Sequence, residues 1–323
     1  MQKAVLAAAA IALGLVGPAQ AQPYPSRPIT IIVPFAAGGP TDALARTLGE
    51  RMRVSLGQTI LIENVTGAGG SIGVGRAVQA APDGYTISMG HLGTHVVNGA
   101  IYPLKYDLLN DFEPIALLAA NPMMVVSKND VPAKNLRELI DWLKANSGKV
   151  AAGTAGVGSA SHFSGVYFQN LIKTPLNFVP YRGTGPALQD LVAGQIDMIV
   201  DQASNSMTQV QAGKIRAYAV TANKRLAVAP DIPTVDEAGL SGFYISIWNA
   251  LWVPKGTPKE AIAKLNAAVV DALADPAVRR RLADVGLDIP PREQQTPEAL
   301  ATHQKAEIDK WWPIIKAANV KAE

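Results

Sequence analysis

Glycine, hydroxyl and acidic residues cluster where an apolar run of the sequence meets an amphipathic one. The first cluster, "FAAGGPTD", ends the apolar run 29–35 and contains Gly38, Gly39, Thr41 and Asp42. Free backbone N–H groups at a helix start, together with a hydroxyl, form a cradle for an anion such as a carboxylate. A tight strand-to-helix turn in which Asp42 complements the helix dipole explains the same residues. Both interpretations stay open at this point.

A second cluster, "GTAGVGSASH", spans residues 153–162 and leads into another helical pattern. The hydroxyls of Ser159 and Ser161 and the ring of His162 suit an oxygen anion, but N-capping by either serine explains them equally well. The glycines fall as G-x-x-G-x-G and no Gly-Lys-Ser/Thr follows, so neither a dinucleotide fingerprint nor a P-loop is present. Val157 and Ser161 replace the glycines that flank the serine of a nucleophile elbow.

A third glycine-rich segment, "GAGGSIG", occupies residues 67–73 and also lacks the spacing of a dinucleotide-binding turn. Glycine permits both a tight turn and a close approach between backbones. The segment therefore predicts a surface turn followed by a closely packed helix.

Two histidines, His91 and His95, stand four residues apart, as zinc ligands on a helix can. Gly93 lies between them, and no glutamate follows His91 as an H-E-x-x-H motif requires. We therefore expect no metal site, and predict instead a polar loop that faces a cleft and offers Thr94 and Asn98 as donors.

Composition removes several classes of function. The 323 residues include no cysteine, which excludes thiol catalysis, disulfides and cysteine-ligated metals. The net charge is +3, and the basic residues are scattered rather than gathered into a nucleic-acid footprint. Because no catalytic set and no nucleotide motif assembles, we expect neither an enzyme nor a bound cofactor.

The N-terminal segment has the pattern of a secretory signal peptide. A basic start at Lys3 precedes an apolar run over 4–17 and an A-x-A ending at residues 19–21. The sequence predicts a signal peptide over 1–21, cleavage before Gln22, and export to a bacterial periplasm. The run is too short for a permanent membrane span, so the mature protein is not expected to be embedded in a membrane.

The remaining chain alternates short apolar runs with helical patterns, which indicates β-loop-α units around mostly parallel sheets. In the first helical pattern Leu44, Leu48 and Met52 share one face. Strands are predicted at 29–35, 59–63, 85–89, 123–127, 149–153, 177–180, 198–201, 217–221 and 245–253. Further helices are predicted at 72–80, 136–145, 162–172, 186–193, 258–274, 276–285 and 297–318.

The β-loop-α pattern restarts near residue 121, and the segment after residue 242 has too few strands for a domain. We therefore predict an α/β fold of two lobes with a hinged cleft, joined by crossings near 121–124 and 242–246. The first lobe takes residues 22–121 and the returning segment 245–323. The second lobe takes residues 122–244.

Several segments in this order resemble the substrate-binding proteins of tripartite tricarboxylate transporters, often called Bug-type receptors. The similarity extends over the whole mature chain. The segments are "SRPITIIVPFAAGGPTDALAR", "GAGGSIG", "APDGYTISMG", "VPAKNLREL", "GTAGVGSASHFSG", "VPYRGTGPALQDLVAGQIDMIVDQ", "KIRAYAVT" and "PDIPTVDEAGLSGF". Each is weak alone, but the order and spacing are specific to the family.

The resemblance implies a periplasmic binding protein that holds a small carboxylate between its lobes through loop amides, hydroxyls and bridging waters. It implies membrane subunits of a transporter as partners and a monomeric receptor. Carried over by position, it implies these ligand contacts: Phe35, Ala37, Gly38, Gly39, Thr41, Asp42, Thr94, Asn98, Thr154, Ser159, His162 and Asp201. His91 joins them as a departure, because the family more often has a small hydroxyl residue there.

Two other departures are Val65-Thr66, where the family usually has Arg-Pro, and Gln202, where Asn is common. His91 and Gln202 bear on ligand identity, which the sequence leaves open. Two alternatives to a transport receptor also stay open. One is a sensor that reports its ligand to a membrane kinase, and the other is a carboxylate-processing enzyme.

Overall fold

The computed structural model describes residues 23–317, and the predicted signal peptide with its cleavage point lies outside the described residues. The strands are β1 Ile29–Val33, β2 Ile60–Asn64, β3 Thr86–His91, β4 Phe112–Lys128, β5 Ala151–Thr154, β6 Asn177–Pro180, β7 Met198–Gln202, β8 Ile215–Val220 and β9 Ser246–Pro254.

The α-helices are α1 Pro40–Leu56, α2 Ser71–Val78, α3 Asn98–Ile101, α4 Leu136–Ala145, α5 Ala160–Ile172, α6 Thr184–Val192, α7 Ala203–Gln211, α8 Lys259–Ala274, α9 Pro276–Ala283 and α10 Pro297–Ala317. A π-helix at Gly93–Val97 runs directly into α3, and single 3₁₀ turns lie at Ala68–Gly70 and Arg292–Gln294. The predicted alternation of strand and helix is confirmed.

The strands follow the order β2-β1-β3-β9-β4-β7-β5-β6, with β8 paired to β4. The pairs β1–β2, β1–β3, β5–β6 and β5–β7 are parallel, as the β-loop-α pattern predicts. The strands that cross between the lobes pair antiparallel: β3–β9, β9–β4, β4–β7 and β4–β8. This difference follows from the topology, because a chain that leaves a lobe on one strand returns to it on a neighbour of opposite direction.

Strand β4 belongs to both lobes. Its first part, from Phe112 to Pro122, pairs with β9, and its second part, from Met123, pairs with β7 and β8. The predicted strand at 123–127 was therefore too short by eleven residues at its start. The restart of the pattern near residue 121 suggested a break, but Pro122 lies where β4 changes partners, and a bulge follows Pro114.

Each lobe has its own buried cluster. In the first lobe the predicted face of α1, formed by Leu44, Leu48 and Met52, is buried against β1. Burial of each such side chain contributes about 1.5–3 kcal/mol. In the second lobe Met124 and Val126 of β4 pack with Ile199, Leu188 and neighbouring residues of α6. A further cluster continues between the lobes through β4 and β9.

The last helix, α10, packs against elements of the first lobe and places Trp311 against Phe163 of the second. Gln304 of α10 accepts a hydrogen bond from the Trp252 indole N–H at 3.0 Å, and its amide donates to the His95 carbonyl at 2.9 Å. The Trp312 indole N–H donates to the Val96 carbonyl at 2.9 Å. The last helix thus holds the π-helix in place from behind. Between residues 23 and 317 no helix combines the length and apolarity that crossing a bilayer requires.

Candidate functional site

The first glycine loop joins β1 to α1 and is braced by Asp42. Gly38 has a φ of +83°, which favours glycine, and its N–H donates to the Asp42 carboxylate at 3.0 Å. The same carboxylate accepts two hydrogen bonds from Arg46 at 2.9 Å and one from the Asn64 amide at 3.0 Å. Burial opposes ionisation of Asp42, but the Arg46, Gly38 and Asn64 hydrogen bonds together hold its pKa below the usual range.

Thr41 is the hydroxyl residue of this loop that is left free. Its side chain is only 2% exposed and borders a cavity between the lobes. Within the described range, no residue forms a hydrogen bond with its hydroxyl. The Thr41 hydroxyl therefore opens to the cavity, where water or a ligand can form a hydrogen bond with it.

The second glycine loop joins β5 to α5, and its serines hold it together. Ser159 is the N-cap of α5 and accepts the His162 N–H at 3.3 Å. Ser161 accepts the Ala155 N–H at 2.8 Å, and the two serine oxygens lie 3.2 Å apart. The N-capping interpretation is therefore correct for Ser159, which also borders the cavity.

Both loops meet at one cavity, which we call the interlobe cavity. The two lobes nearly close it, and about 10 Å³ remains available to the centre of a water molecule. Its lining residues are Phe35, Gly39, Pro40, Thr41, Met123, Ala155, Ser159, Ala160, Ser161, Thr184, Asp201 and Gln202.

Four helices begin at the interlobe cavity. Gly39, Ser159 and Gln202 are the N-caps of α1, α5 and α7, and Thr184 is the first residue of α6. These helices have 17, 13, 9 and 9 residues, so each carries a helix dipole with its positive end toward the cavity. The cavity therefore combines hydroxyls with the positive ends of four helices and suits an anion.

Asp201 is the one titratable side chain among the lining residues. It is the fourth residue of β7 and is 0% exposed. Its carboxylate accepts hydrogen bonds from Ser206 at 2.6 Å, Asn205 at 2.7 Å and the Gln202 N–H at 2.8 Å. Burial nevertheless raises the pKa of Asp201 to about 6, against the effect of these donors.

The segment with the two histidines lies behind the cavity wall. The His91 ring stacks on Phe35, with centroids 5.1 Å apart and planes 8° apart, and its Nδ1 accepts the Gly93 N–H at 2.9 Å. The His95 ring stacks on Trp252 at 3.7 Å. Thr94 Oγ1 lies between them, accepting the His91 N–H at 3.0 Å and lying 2.9 Å from His95 Nδ1.

Burial lowers the pKa of His91 to about 4 and that of His95 well below its ordinary value. Both rings are therefore neutral at physiological pH. Over residues 23–317, no three His, Asp or Glu side chains come together in an arrangement that could hold a metal ion.

Five of the residues predicted to contact a ligand border the cavity: Phe35, Gly39, Thr41, Ser159 and Asp201. The others lie beside or behind it: Ala37, Gly38, Asp42, His91, Thr94, Asn98, Thr154 and His162. Ligand contact remains a prediction for both groups. Sequence reasoning missed Met123 and Thr184. Thr184 stands two residues before the predicted start of its helix, and its "RGTGP" context, which places a hydroxyl beside glycines at a helix start, was the available signal.

The lobes touch along a rim above the cavity. The Ala36 N–H donates to the Arg182 carbonyl at 2.9 Å, and the Tyr102 hydroxyl donates to the Val157 carbonyl at 2.8 Å. Gly69 lies against Val157, and the Asn98 amide donates to the Gly69 carbonyl at 3.0 Å.

The prediction of a surface turn at the third glycine segment is therefore wrong. Gly69 and Gly70 are buried, because the second glycine loop covers Gly69 and the residues Pro34, Phe35 and Thr94 enclose Gly70. The accompanying expectation of close helix packing is right. A Cβ atom on Gly73 would lie 2.6 Å from the Val65 carbonyl oxygen.

Comparison with known proteins gives one consistent result. A family model described as "Tripartite tricarboxylate transporter family receptor" matches residues 44–320. The solved structure of the periplasmic binding protein BugD is 41% identical, with a TM-score of 0.89, over 92% of this chain and 100% of that one.

Two related structures contain ligands. MatC from Rhodopseudomonas palustris with bound malate is 43% identical, with a TM-score of 0.88, over 90% of this chain and 100% of that one. Rpa4515 from R. palustris with adipate is 31% identical, with a TM-score of 0.87, over 92% and 99% of the two chains. Both ligands named in these structures are small dicarboxylates.

Proposed function

The chain belongs to the tripartite tricarboxylate transporter receptor family, and from this we propose that it is a periplasmic solute receptor for a small carboxylate. The ligand is enclosed in the interlobe cavity and delivered to the membrane subunits of a transporter. Export depends on the signal peptide predicted at residues 1–21, and the mature receptor acts as a monomer.

The convergence of four helix N-termini on one cavity carries this proposal. An N-terminus contributes the equivalent of about half a positive charge and free N–H donors, without the flexibility or desolvation cost of a lysine. The hydroxyls of Thr41, Ser159 and Thr184 stand at three of these termini. Such a site binds carboxylates by preorganised dipoles rather than by a salt bridge.

The chemical class of the ligand follows from the relatives. One relative at 43% identity has malate bound and another at 31% has adipate bound. Four- to six-carbon dicarboxylates are therefore the first candidates for this chain. His91 and Gln202, which differ from the usual family residues, should influence which dicarboxylate binds best. The His91 ring stacks on Phe35, and Gln202 borders the cavity.

Receptor function also explains why both lobes supply the site. Thr41 comes from the first lobe, and Ser159 and Thr184 come from the second, so only closed lobes surround a ligand completely. Differential affinity for the closed state drives closure. The membrane subunits then recognise the closed receptor by its rim. On this proposal the bound acid is carried unchanged, and incubation yields no product.

A thermal-shift screen of the mature chain, residues 22–323, tests the ligand class. The panel contains L-malate, succinate, adipate, citrate, benzoate and the uncharged diamide of malic acid. At one hundred times its Kd, a specific ligand adds about 2.7 kcal/mol to the free energy of unfolding, and this raises the melting temperature. We expect a dicarboxylate to raise it and the diamide to leave it unchanged. A rise with the diamide and none with the acids contradicts the carboxylate assignment.

Transport delivery needs a separate test. Cells that lack the receptor but retain the membrane subunits are supplied with the wild-type chain or with Thr41→Val, and uptake of the radiolabelled acid is measured. Uptake that depends on the receptor and falls with the variant supports delivery. Binding without any effect on uptake supports a sensory role instead.

A further inference from the structure

Asp201 is a buried carboxylate that borders the interlobe cavity without a basic partner. Its hydrogen-bond donors are the Ser206 and Thr184 side chains, the Asn205 amide and one backbone N–H, all of them uncharged. Over the described part of the chain, none of its interactions involves a lysine, arginine or charged histidine. The wall of a cavity that suits an anionic ligand therefore already includes an acidic side chain, that of Asp201.

Asp42 of the opposite lobe shows that the fold can neutralise a carboxylate in this region. Asp42 is almost as buried, at 3% exposure, but the Arg46 guanidinium binds both of its oxygens at 2.9 Å. Asp42 also lies outside the cavity lining, whereas Asp201 lies within it. Of these two buried carboxylates, the one without a basic partner is the one that borders the cavity.

Two carboxylates that share a water-poor site repel each other, and one added proton removes most of that repulsion. The four helix N-termini offset part of the negative charge, but they serve both anions at once. Building on the function proposed above, we propose that the receptor binds its carboxylate ligand together with one proton, which the ligand and the Asp201 carboxyl share.

Of the two Asp201 carboxylate oxygens, Oδ1 is better placed than Oδ2 to accept this proton. Its Oδ2 accepts hydrogen bonds from Asn205 and Ser206, Oδ1 accepts the Gln202 N–H, and the Thr184 side chain is a further donor to the carboxylate. A carboxylate oxygen has two lone-pair sites. We therefore place the shared proton on Oδ1, because protonation there leaves the Asn205 and Ser206 bonds to Oδ2 undisturbed.

The direction of the pH dependence follows from linkage. In the unliganded chain, burial raises the pKa of Asp201 to about 6. A bound carboxylate raises it further, because both groups carry the same charge. Binding is then strongest below about pH 6 and weakens as pH rises toward the higher pKa of the complex. With one proton taken up, the Kd increases by up to about tenfold per pH unit in that range.

Other titratable groups do not account for such a dependence. The elements packed against β7 are β4, β5, α5, α6 and α7. Their titratable side chains each have a partner elsewhere, namely Glu113 with Lys255, Lys128 with Asp197, His162 with the Gly158 N–H, Tyr167 with the Gly242 carbonyl and Asp190 with Tyr181. Burial keeps His162 neutral by lowering its pKa to about 4.

Calorimetry in buffers of different ionisation enthalpy measures the proton directly. L-Malate, or the panel acid with the largest thermal shift, is titrated into the mature chain in MOPS, HEPES and Tris at pH 7. The slope of observed enthalpy against buffer enthalpy gives the number of protons bound. We expect uptake approaching one proton, and a Kd that weakens between pH 6 and pH 8.

Asp201→Asn removes the acid with little change of shape, and we expect no proton uptake and a flat pH profile for this variant. The matched control is Asp197→Asn, which neutralises the carboxylate at the other end of β7. Asp197 pairs with Lys128 and lies outside the cavity lining, so proton uptake should be unchanged.

Ser206→Ala keeps the test valid if Asp201→Asn does not fold. Loss of the 2.6 Å donor raises the pKa of Asp201 in the free chain, so the onset of the pH dependence should move to higher pH. Malate binding without proton uptake in the wild type overturns the inference, as does equal uptake in Asp201→Asn. Failure of every carboxylate to bind instead contradicts the proposed function itself.

Discussion

Gly69 of the first lobe lies so close to Val157 of the second that an added Cβ atom would overlap the Val157 carbonyl oxygen. The lobes therefore meet at this point of the rim through bare backbone. Beside this contact the Tyr102 hydroxyl donates to the same carbonyl at 2.8 Å. Closure of the cleft therefore depends on glycine at position 69 as well as on the hydrogen bond from Tyr102 to Val157.

Gly69→Ala should therefore hinder closure while both lobes fold. The added methyl group meets backbone, which cannot move aside as a flexible side chain can. We expect malate to bind about tenfold more weakly or worse, because less of the protein reaches the closed state. Isothermal titration measures the affinity, and small-angle scattering should show the variant staying expanded when ligand is added.

Gly148→Ala is the matched control for Gly69→Ala. Both glycines have positive φ, +58° and +73°, so both variants carry the same kind of backbone strain. A Cβ atom on Gly148 would contact nothing within 4 Å. Equal loss of binding in the two variants would show that strain, and not the contact with Val157, is responsible.

Thr41→Val tests the hydroxyl that has no partner within the described chain. Valine keeps the shape of threonine, so folding stability should change little. If the hydroxyl donates to a bound carboxylate, its loss should weaken binding by about 1 kcal/mol or more, which corresponds to roughly fivefold in Kd. Calorimetric titration with the acid identified in the screen measures this.

Thr47→Val serves as the control, because it makes the same change on the same helix. The Thr47 hydroxyl donates to the Ala43 carbonyl at 2.8 Å and lies outside the cavity lining. The affinity of the Thr47→Val variant for the acid should equal that of the wild type. Unchanged affinity in Thr41→Val as well would remove Thr41 from the ligand contacts.

The sequence was sufficient for features that depend on local pattern. The periodicity of Leu44, Leu48 and Met52 identified the buried face of α1, and the glycine-rich loops marked the starts of α1 and α5. These signals lie within a few residues of one another, so a single stretch of sequence contains them. The family resemblance supplied the pairing of the two loops across a cleft.

Features that depend on distant partners could not be predicted from local pattern. Gly69 is buried only because Val157 covers it, and Met123 borders the cavity only because β4 passes from one lobe to the other. Helix α7 was missed because its sequence is polar and only Ala203, Ser206 and Met207 are buried. The π-helix at Gly93–Val97 has no sequence signature of its own and depends on the packing of α10 behind it.

The ion pair between the buried Asp42 carboxylate and the half-exposed Arg46 guanidinium should stabilise the first glycine loop. Asp42→Asn removes the charge and weakens the bonds to Gly38 and Arg46, and we expect a loss of about 1–2 kcal/mol at pH 7. The pKa of Asp42 is lowered in the folded chain, so its contribution is present above the ordinary pKa of about 4 and is lost as pH falls below it. Urea unfolding should show a smaller stability difference between wild type and Asp42→Asn at pH 3 than at pH 7.

Asp309→Asn provides the comparison for that pair. Asp309 and Lys305 have the same four-residue spacing on a helix, but their side chains are 63% and 66% exposed. Solvent-exposed pairs contribute little, and we expect a loss below about 0.5 kcal/mol. Equal losses in the two variants would mean that burial of Asp42 adds nothing.

The neutral buried histidines should make the fold sensitive to mild acid. Burial lowers the pKa of His91 and His162 to about 4, whereas an unfolded chain protonates histidine near 6.5. Above about pH 6.5 both states are neutral, and below it only the unfolded state binds the proton. Stability is therefore lost as pH falls from about 6.5 toward 4, by up to about 1.4 kcal/mol per unit for each histidine.

His91→Asn isolates one of these contributions. Asparagine can still accept the Gly93 N–H in place of Nδ1, but it does not titrate. Urea unfolding at pH 7, 6 and 5 should give a shallower decline for this variant than for the wild type, whatever the packing loss at pH 7. The comparison variant is His303→Asn, because the His303 ring is less buried and its pKa is also lowered. This variant should change the loss of stability between pH 7 and pH 5 less than His91→Asn does. Parallel declines in wild type and His91→Asn would show that His91 is protonated within the fold, which its position behind Phe35 argues against.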